Sequence, residues 1–332
     1  MATLFLDRRE AVIESAAGAL LVRGGDGALA RAPLALAERV VLRGPARIST
    51  GAIAAIAEAG AALLVLSGRH GRPAAAMLGR AHADAAIRIG QFRLALDGAA
   101  RVRIAALLLR RKLAGQRRLL GRALQRRPDR RLPLRRGLEA LAEAQHRLRR
   151  LAAEGASPAR LMGVEGAAAA AYFEAFAAIL PPALGFAGRN RRPPRDPVNA
   201  ALSLAYTLGH FEAVREAHLA GLDPAVGFLH ALAPGRESLA CDLVEPLRPH
   251  LDHLVWRLFA EERLRGAHFT RDGAACLLGK AGRLAFYAAW EEAAAPLRRA
   301  LRRGLRPLVR AARAAAAELC AESTADADGA AP

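Results

Sequence analysis

The hydrophobic period of this 332-residue chain changes once, and no other feature limits its fold so tightly. Up to about residue 75 the apolar residues come in short runs: "TLFLD", "AVIESAAGALLVR", "RVVLRG" and "AALLVLS". Turn-forming stretches such as "GGDG", "RGP" and "SGRHGRP" separate them, which is the pattern of short strands. One helix interrupts this region. Ser49-Thr50 can cap "GAIAAIAEAG", where Ile53 and Ile56 recur at helical spacing. Beyond Pro73 the spacing becomes i, i+3, i+4, i+7, as in "RIAALLLRRKLAGQRRLLGRAL" and "RGLEALAEAQHRLRRLAAEG". The chain therefore reads as an α+β protein. A small β-rich domain over 1–75 is followed by a linker over 76–90, a larger all-α domain over 91–318 and a disordered tail over 319–332.

Charge narrows the function. Fifty Lys and Arg stand against 31 Asp and Glu, a net +19, and only Lys112 and Lys280 are lysines. A GC-rich genome accounts for arginine over lysine but not for the excess of bases over acids. A field of this sign favours polyanions, and arginine forks onto phosphates in a way lysine cannot. Residues 101–150 hold 17 bases and three acids, and 297–313 hold seven arginines and no acid. Acids for i,i+4 pairing are missing there, so an anionic partner is expected. Aromatic residues make up only 5% of the chain, which favours contact with duplex backbone over base stacking.

Other classes drop out. The three cysteines form no CxxC pair, so neither a zinc site nor a disulfide framework is indicated. The N-terminal residues lack the apolar core of a signal peptide. The longest charge-poor stretch is broken by Glu174 and by Pro181-Pro182, so no membrane span is predicted and the protein is expected in the cytoplasm.

Three short stretches carry candidate chemistry. In "GLDPAVGFLH", Asp223-Pro224 can start a short helix that ends near His230. After a turn at "APGR", Ser238 can cap a second helix on which Asp242 and Glu245 share a face. Upstream, Glu165 lies between Gly163 and Gly166, at the expected N-terminus of an alanine-rich helix. Each residue alone has an ordinary structural reading. Together, one imidazole and two or three carboxylates suit Mg²⁺ or Mn²⁺, and such an ion beside a basic surface points to phosphodiester chemistry.

The ordered motifs resemble a known family, the CRISPR-associated integrase/endonuclease of spacer acquisition. The likeness runs from about residue 3 to about 310. It includes the β-domain run, "RRKLAGQRRLL" with Lys112 and Gln116, "GVEGAAAAAYF", "RNRRPPRDPVNAALSLAYTLG", "GLDPAVGFLH" and "RESLACDLVEPLRP". Gly115 stands where asparagine is common, and Pro246 where an acid is frequent. The resemblance implies that Glu165, His230 and Glu245 are catalytic metal ligands, with Asp242 supporting or sharing coordination. It implies insertion of DNA fragments into a CRISPR array by attack of a 3′-hydroxyl on a phosphodiester. It also implies a homodimer built through the β-domain and a small ferredoxin-like CRISPR-associated partner. Arg110, Arg111, Lys112, Arg118 and Arg189 are the expected nucleic-acid contacts, with Asn199 and Tyr206 near the site. Two other readings share the basic surface: a non-catalytic architectural protein that binds nucleic acid, and a repair nuclease for branched DNA.

Overall fold

The change of period falls close to where the computed structural model divides, into Met1–His82 and Ala83–Pro332. It describes residues 2–329 apart from positions 9, 26, 69, 70, 80, 81, 83, 191 and 192, with side chains up to 319.

In the first unit the apolar runs become strands: β1 (Ala2–Leu6), β2 (Ala11–Ala16), β3 (Ala19–Arg23), β4 (Leu29–Pro33), β5 (Ala37–Arg43), β6 (Ala46–Ile48), β7 (Ala62–Ser67) and β8 (Arg72–Met77). They form two four-stranded sheets, ordered β1-β5-β7-β8 and β4-β3-β2-β6. β5 pairs parallel with β1 and β7, and β2 pairs antiparallel with β3. The β2–β3 hairpin turns on Ala17 and Gly18, both at positive φ, as a two-residue type I′ turn requires. Helix α1 (Thr50–Glu58) is capped by Ser49, whose Oγ accepts from Ala52 N at 3.1 Å. Ile13, Leu20, Val40 and Ile56 belong to the buried core of this unit.

The second unit is helical as the sequence predicts, with one addition. Its helices are α2 (Ala85–Leu96), α3 (Gly98–Arg126), α4 (Arg131–Ala153), α5 (Pro158–Ala177), α6 (Pro197–Leu219), α7 (Ser238–Val244), α8 (Arg248–Ala260) and α9 (Lys280–Gly329). A hairpin, β9 (Phe269–Asp272) and β10 (Ala275–Leu278), precedes α9, so the unit is not all-α. β8 ends at Met77 and α2 begins at Ala85, which leaves a connection shorter than the linker predicted over 76–90. The tail predicted over 319–332 falls, from residue 320 on, outside the described side chains.

Helix α6 runs through the middle of this unit, with a buried row from Val198 to Ala217. Its buried Glu212 and Glu216 receive Arg298 at 2.9 Å and Arg302 at 2.8 Å from α9. The arginine-rich end is thus partly compensated by acids about 86 residues away in sequence. Gly90 brings α2 against α9 so closely that a Cβ there would lie 1.7 Å from Ala312 O. Gly115 does the same for α3 and Pro249, where a Cβ would meet Pro249 Cγ at 2.8 Å.

Candidate active site

Four segments of the helical unit bring the predicted residues together. Ser157 caps α5, its Oγ accepting from Arg160 N, and Pro158 occupies the first turn. The helix therefore starts well before Glu165, which sits in its interior and not at its N-terminus. Glu245 follows α7 in a single 3₁₀ turn, Glu245–Leu247, before α8 begins at Arg248. Pro246 has no N–H to continue the helix. The resulting break lets Arg248 close on Glu245 at 2.9 Å.

Glu165 and Glu245 point at one atom. Lys112 Nζ on α3 lies 2.5 Å from Glu165 Oε1 and 2.5 Å from Glu245 Oε2. Lys112 is buried, so it does not lie on the exposed arginine face of α3. Burial pushes the Glu245 carboxyl upward, but Lys112 and Arg248, with a smaller contribution from His230, overcome this and hold it at about 2.

The His230 segment differs from its sequence reading. Residues 223–230 are irregular, and Asp223 makes a turn by accepting from Ala225 N at 2.8 Å. The backbone finds its partner in Asp242. Oδ2 of Asp242 accepts from Phe228 N (2.6 Å) and Leu229 N (2.9 Å), and Oδ1 accepts from His230 N (2.9 Å) and contacts His230 Nδ1 (2.7 Å). Asp242 is fully buried and both its oxygens are used inward. It engages His230 through the backbone N–H and Nδ1 and does not engage Nε2, an arrangement common behind metal-binding histidines. Gly227 permits the approach, because a Cβ there would lie 2.9 Å from Asp242 Oδ2. Ser238 does not cap α7; its Oγ donates to Ala231 O at 2.9 Å.

Several supporting residues escape the sequence reading. Gln91 of α2 donates to Asp223 O (3.0 Å) and Val226 O (2.7 Å), and Arg101 Nε donates to Phe228 O (2.9 Å). Both tie the His230 segment to the helices. On the Glu245 side, the guanidinium groups of Arg248 (4.8 Å) and Arg189 (5.1 Å) both lie over the Tyr206 ring. Tyr206 and Tyr172 both donate to the buried carboxylate of Asp252, at 2.5 and 2.8 Å. Burial raises Asp252 to about 6 against these hydrogen bonds and the charge of Arg248. Arg189 also donates to Asn199 Oδ1 (2.6 Å) and Ser203 Oγ (3.2 Å), so its guanidinium is spent on holding the loop before α6. Only the alternation of polar types in "NAALSLAY" hints at this network.

Arg110, Arg111 and Arg118 are exposed on α3. Among the described residues none of them has an ion-pair partner. Arg111 and Arg118, with Arg303 and His250, line a cleft of about 250 Å³ floored by Leu108 and Leu247. Burial and the neighbouring Arg118 and Arg122 lower the His250 pKa, which marks the local field as strongly positive.

Among the described residues no three His, Cys, Asp or Glu side chains already form a metal cage. The donor set still fits a hard divalent cation. Two carboxylates converge on one positive point, and a histidine with its Nδ1 fixed stands close enough to lower the Glu245 pKa.

A β-rich unit followed by a helical unit of this kind defines a structural class that includes solved proteins. A Cas1 protein from Thermotoga maritima superposes with a TM-score of 0.81 over 94% of this chain and 97% of its own, at 18% identity. A casposase bound to integration product superposes at 0.76 over 88% and 82%, at 23% identity. At these identities the likeness is one of fold. Sequence goes further. The family model described as "CRISPR associated protein Cas1" matches residues 4–292. The CRISPR-associated endonuclease Cas1 1 of Thermodesulfovibrio yellowstonii is 36% identical over 297 residues, 88% of this chain and 91% of that protein. The chain belongs to the Cas1 family. No helix among the described residues is long and apolar enough to cross a membrane.

Proposed function

We propose that this chain is a metal-dependent DNA integrase and endonuclease that joins DNA fragments into a CRISPR array. The observation that carries the reading is the convergence of Glu165 and Glu245 on one cationic point, beside a histidine whose Nδ1 is fixed by Asp242. Family membership and a relative named as an endonuclease support it.

Glu165, Glu245 and His230 Nε2 would hold Mg²⁺ or Mn²⁺. Such an ion, when bound, polarises the phosphodiester and stabilises charge on the attacking and leaving oxygens. The chain's own residues do the rest. Asp242 sets the imidazole tautomer and orientation. Arg248, gripped by Tyr206 and through it by Asp252, fixes Glu245. The exposed Arg110, Arg111 and Arg118 neutralise backbone phosphates of duplex DNA and bring the attacking 3′-hydroxyl toward the carboxylates. A 3′-hydroxyl as nucleophile gives strand transfer; water in its place gives cleavage. A homodimer and a small ferredoxin-like CRISPR-associated partner belong to the same reading.

The test incubates purified protein with a short duplex bearing free 3′-hydroxyls and a supercoiled plasmid carrying a repeat. Mn²⁺, Mg²⁺ and chelator are compared, with and without the small partner. Joining should require the divalent ion and vanish in Glu165→Ala, while that variant binds duplex within about threefold of wild type, since no exposed arginine is lost. Binding without joining or cutting in every condition sinks the proposal and leaves an architectural protein.

A further inference from the structure

Lys112 is an unusual occupant of a site that has to hold a cation. The residue is 5% exposed, and its ammonium is equidistant, at 2.5 Å, from the two glutamates. One carboxylate is enough to compensate a buried lysine. Here there are two, and the second is also met by Arg248 at 2.9 Å. The four charges sum to zero. A divalent ion placed between the same carboxylates would leave an excess of two positive charges in a buried cluster, with the ammonium pressed against the ion. Both cannot stay.

A second observation shows where the ammonium can go. Gln116 lies one turn along α3, on the same face at i+4. It is 1% exposed, and its Oε1 is a buried acceptor with no hydrogen-bond partner among the described residues. Buried acceptors are rarely left unpaired. Lysine is suited to such a move, since its charge is compact and its stem flexible, whereas a forked guanidinium would stay bonded to both carboxylates.

We propose that Lys112 is the resident counter-ion of the metal site: it holds Glu165 and Glu245 together in the metal-free protein, is displaced toward Gln116 by the divalent ion, and makes ion binding depend on an incoming phosphodiester. The inference rests on Glu165 and Glu245 being the metal ligands. The excess charge left after the ion enters is offset by the DNA phosphate, so ion and DNA favour each other. Linkage makes the effect reciprocal: DNA strengthens ion binding by the same factor as the ion strengthens DNA binding. Without DNA the site holds its ion weakly, which limits idle hydrolysis.

The experiment measures Mn²⁺ binding by calorimetry and by loss of the free-ion spin-resonance signal, with and without a duplex ending in 3′-dideoxynucleotides. Wild type should bind Mn²⁺ about tenfold more tightly with the duplex. Lys112→Met should bind Mn²⁺ at least tenfold more tightly than wild type without DNA and gain little from adding it. Gln116→Met removes an unpaired acceptor and should fold as well as wild type, yet bind Mn²⁺ severalfold more weakly, because the displaced ammonium loses its acceptor. Should Lys112→Met prove too unstable without metal, the Gln116→Met result decides. Unchanged Mn²⁺ affinity in both variants overturns the counter-ion proposal. Glu165→Gln separates the two levels. If it abolishes Mn²⁺ binding while the Lys112 and Gln116 variants behave as wild type, only the counter-ion is lost. If Mn²⁺ binding survives Glu165→Gln, the metal-site reading itself falls.

Discussion

Replacing Asp242 by asparagine changes no volume but should disable the site. The carboxylate accepts three backbone N–H groups and contacts His230 Nδ1, all between 2.6 and 2.9 Å. An amide offers one oxygen and one NH₂. Pointed toward Phe228 and Leu229, the NH₂ leaves two buried backbone donors facing a donor. Pointed toward His230, it orphans one backbone donor and forces the ring to accept at Nδ1, which puts the proton on Nε2 where a metal would bind. The second orientation is the less costly. One orphaned donor costs about 1–3 kcal/mol, and the remaining bonds lose charge assistance, so about 3 kcal/mol in total is expected. For a unit of this size each kcal/mol shifts Tm by about 2–4 °C, giving a fall of roughly 6–12 °C by calorimetry. Joining activity should drop about 10–100-fold beyond any loss of folded protein, as for the loss of a residue that orients a metal-bound histidine. A Tm within 1 °C of wild type with full activity would show that Asp242 neither holds this segment nor sets the tautomer.

Three further outcomes are expected. Arg110→Glu, Arg111→Glu and Arg118→Glu together should weaken duplex binding and flatten its log–log salt dependence by roughly one for each phosphate no longer neutralised; an unchanged slope would move the DNA surface elsewhere. Asp252 keeps its proton in the folded protein up to about 6 but releases it near 3.8 when unfolded, so its contribution makes stability fall as pH rises through that window. Glu245, held at about 2 against an ordinary 4.5, acts in the opposite sense, and its contribution is lost as pH falls from about 4.5 toward 2. Urea titrations at pH 4–7 should show the Asp252 slope disappear in Asp252→Asn; an identical profile refutes the raised carboxyl. Gly90→Ala would drive a methyl into Ala312 O and should lower Tm by several degrees through forced separation of α2 and α9. A neutral result means the helices do not cross that closely.

What the sequence makes legible is local. The switch of period and the Ser49 cap are statements about neighbouring residues, and both correspond to elements of the structure. The start of α5 is equally local, because Ser157-Pro158 is a cap followed by a first-turn proline, although the glycines around Glu165 mask it. Asp272-Gly273 in "FTRDGAACLL" is a hairpin signal of the same kind, masked by the helical runs on either side. Residues 223–230 fail for a different reason. Asp223-Pro224 reads equally well as a helix start or a turn, and the choice is made by Asp242, Gln91 and Arg101, which supply the hydrogen bonds a helix would otherwise make for itself. The arginines of α9 fail likewise. Glu212 and Glu216, which bind Arg298 and Arg302 across the unit, lie on α6, and no short window along the chain contains both sides of those pairs. For the site, residue types could be read but not their division of labour. Spacing puts Asp242 and Glu245 on one face; only packing shows that one braces a histidine while the other meets Lys112.

The close crossing of α2 and α9 has a topological consequence. Arg313 reaches Asp84 at 3.1 Å, Arg93 donates to Ala315 O at 3.1 Å, and Gly90 abuts Ala312. The opening helix of the helical unit and its closing helix therefore lie side by side, and the intervening chain forms a loop shut by main-chain contact. A short linker could splice these two ends, and new termini could then be cut into an exposed turn such as that at Gly155, between α4 and α5, without separating Glu165, His230 and Glu245. The unit is a candidate for circular permutation and for insertion whole into another protein, with its carboxylates carried along intact.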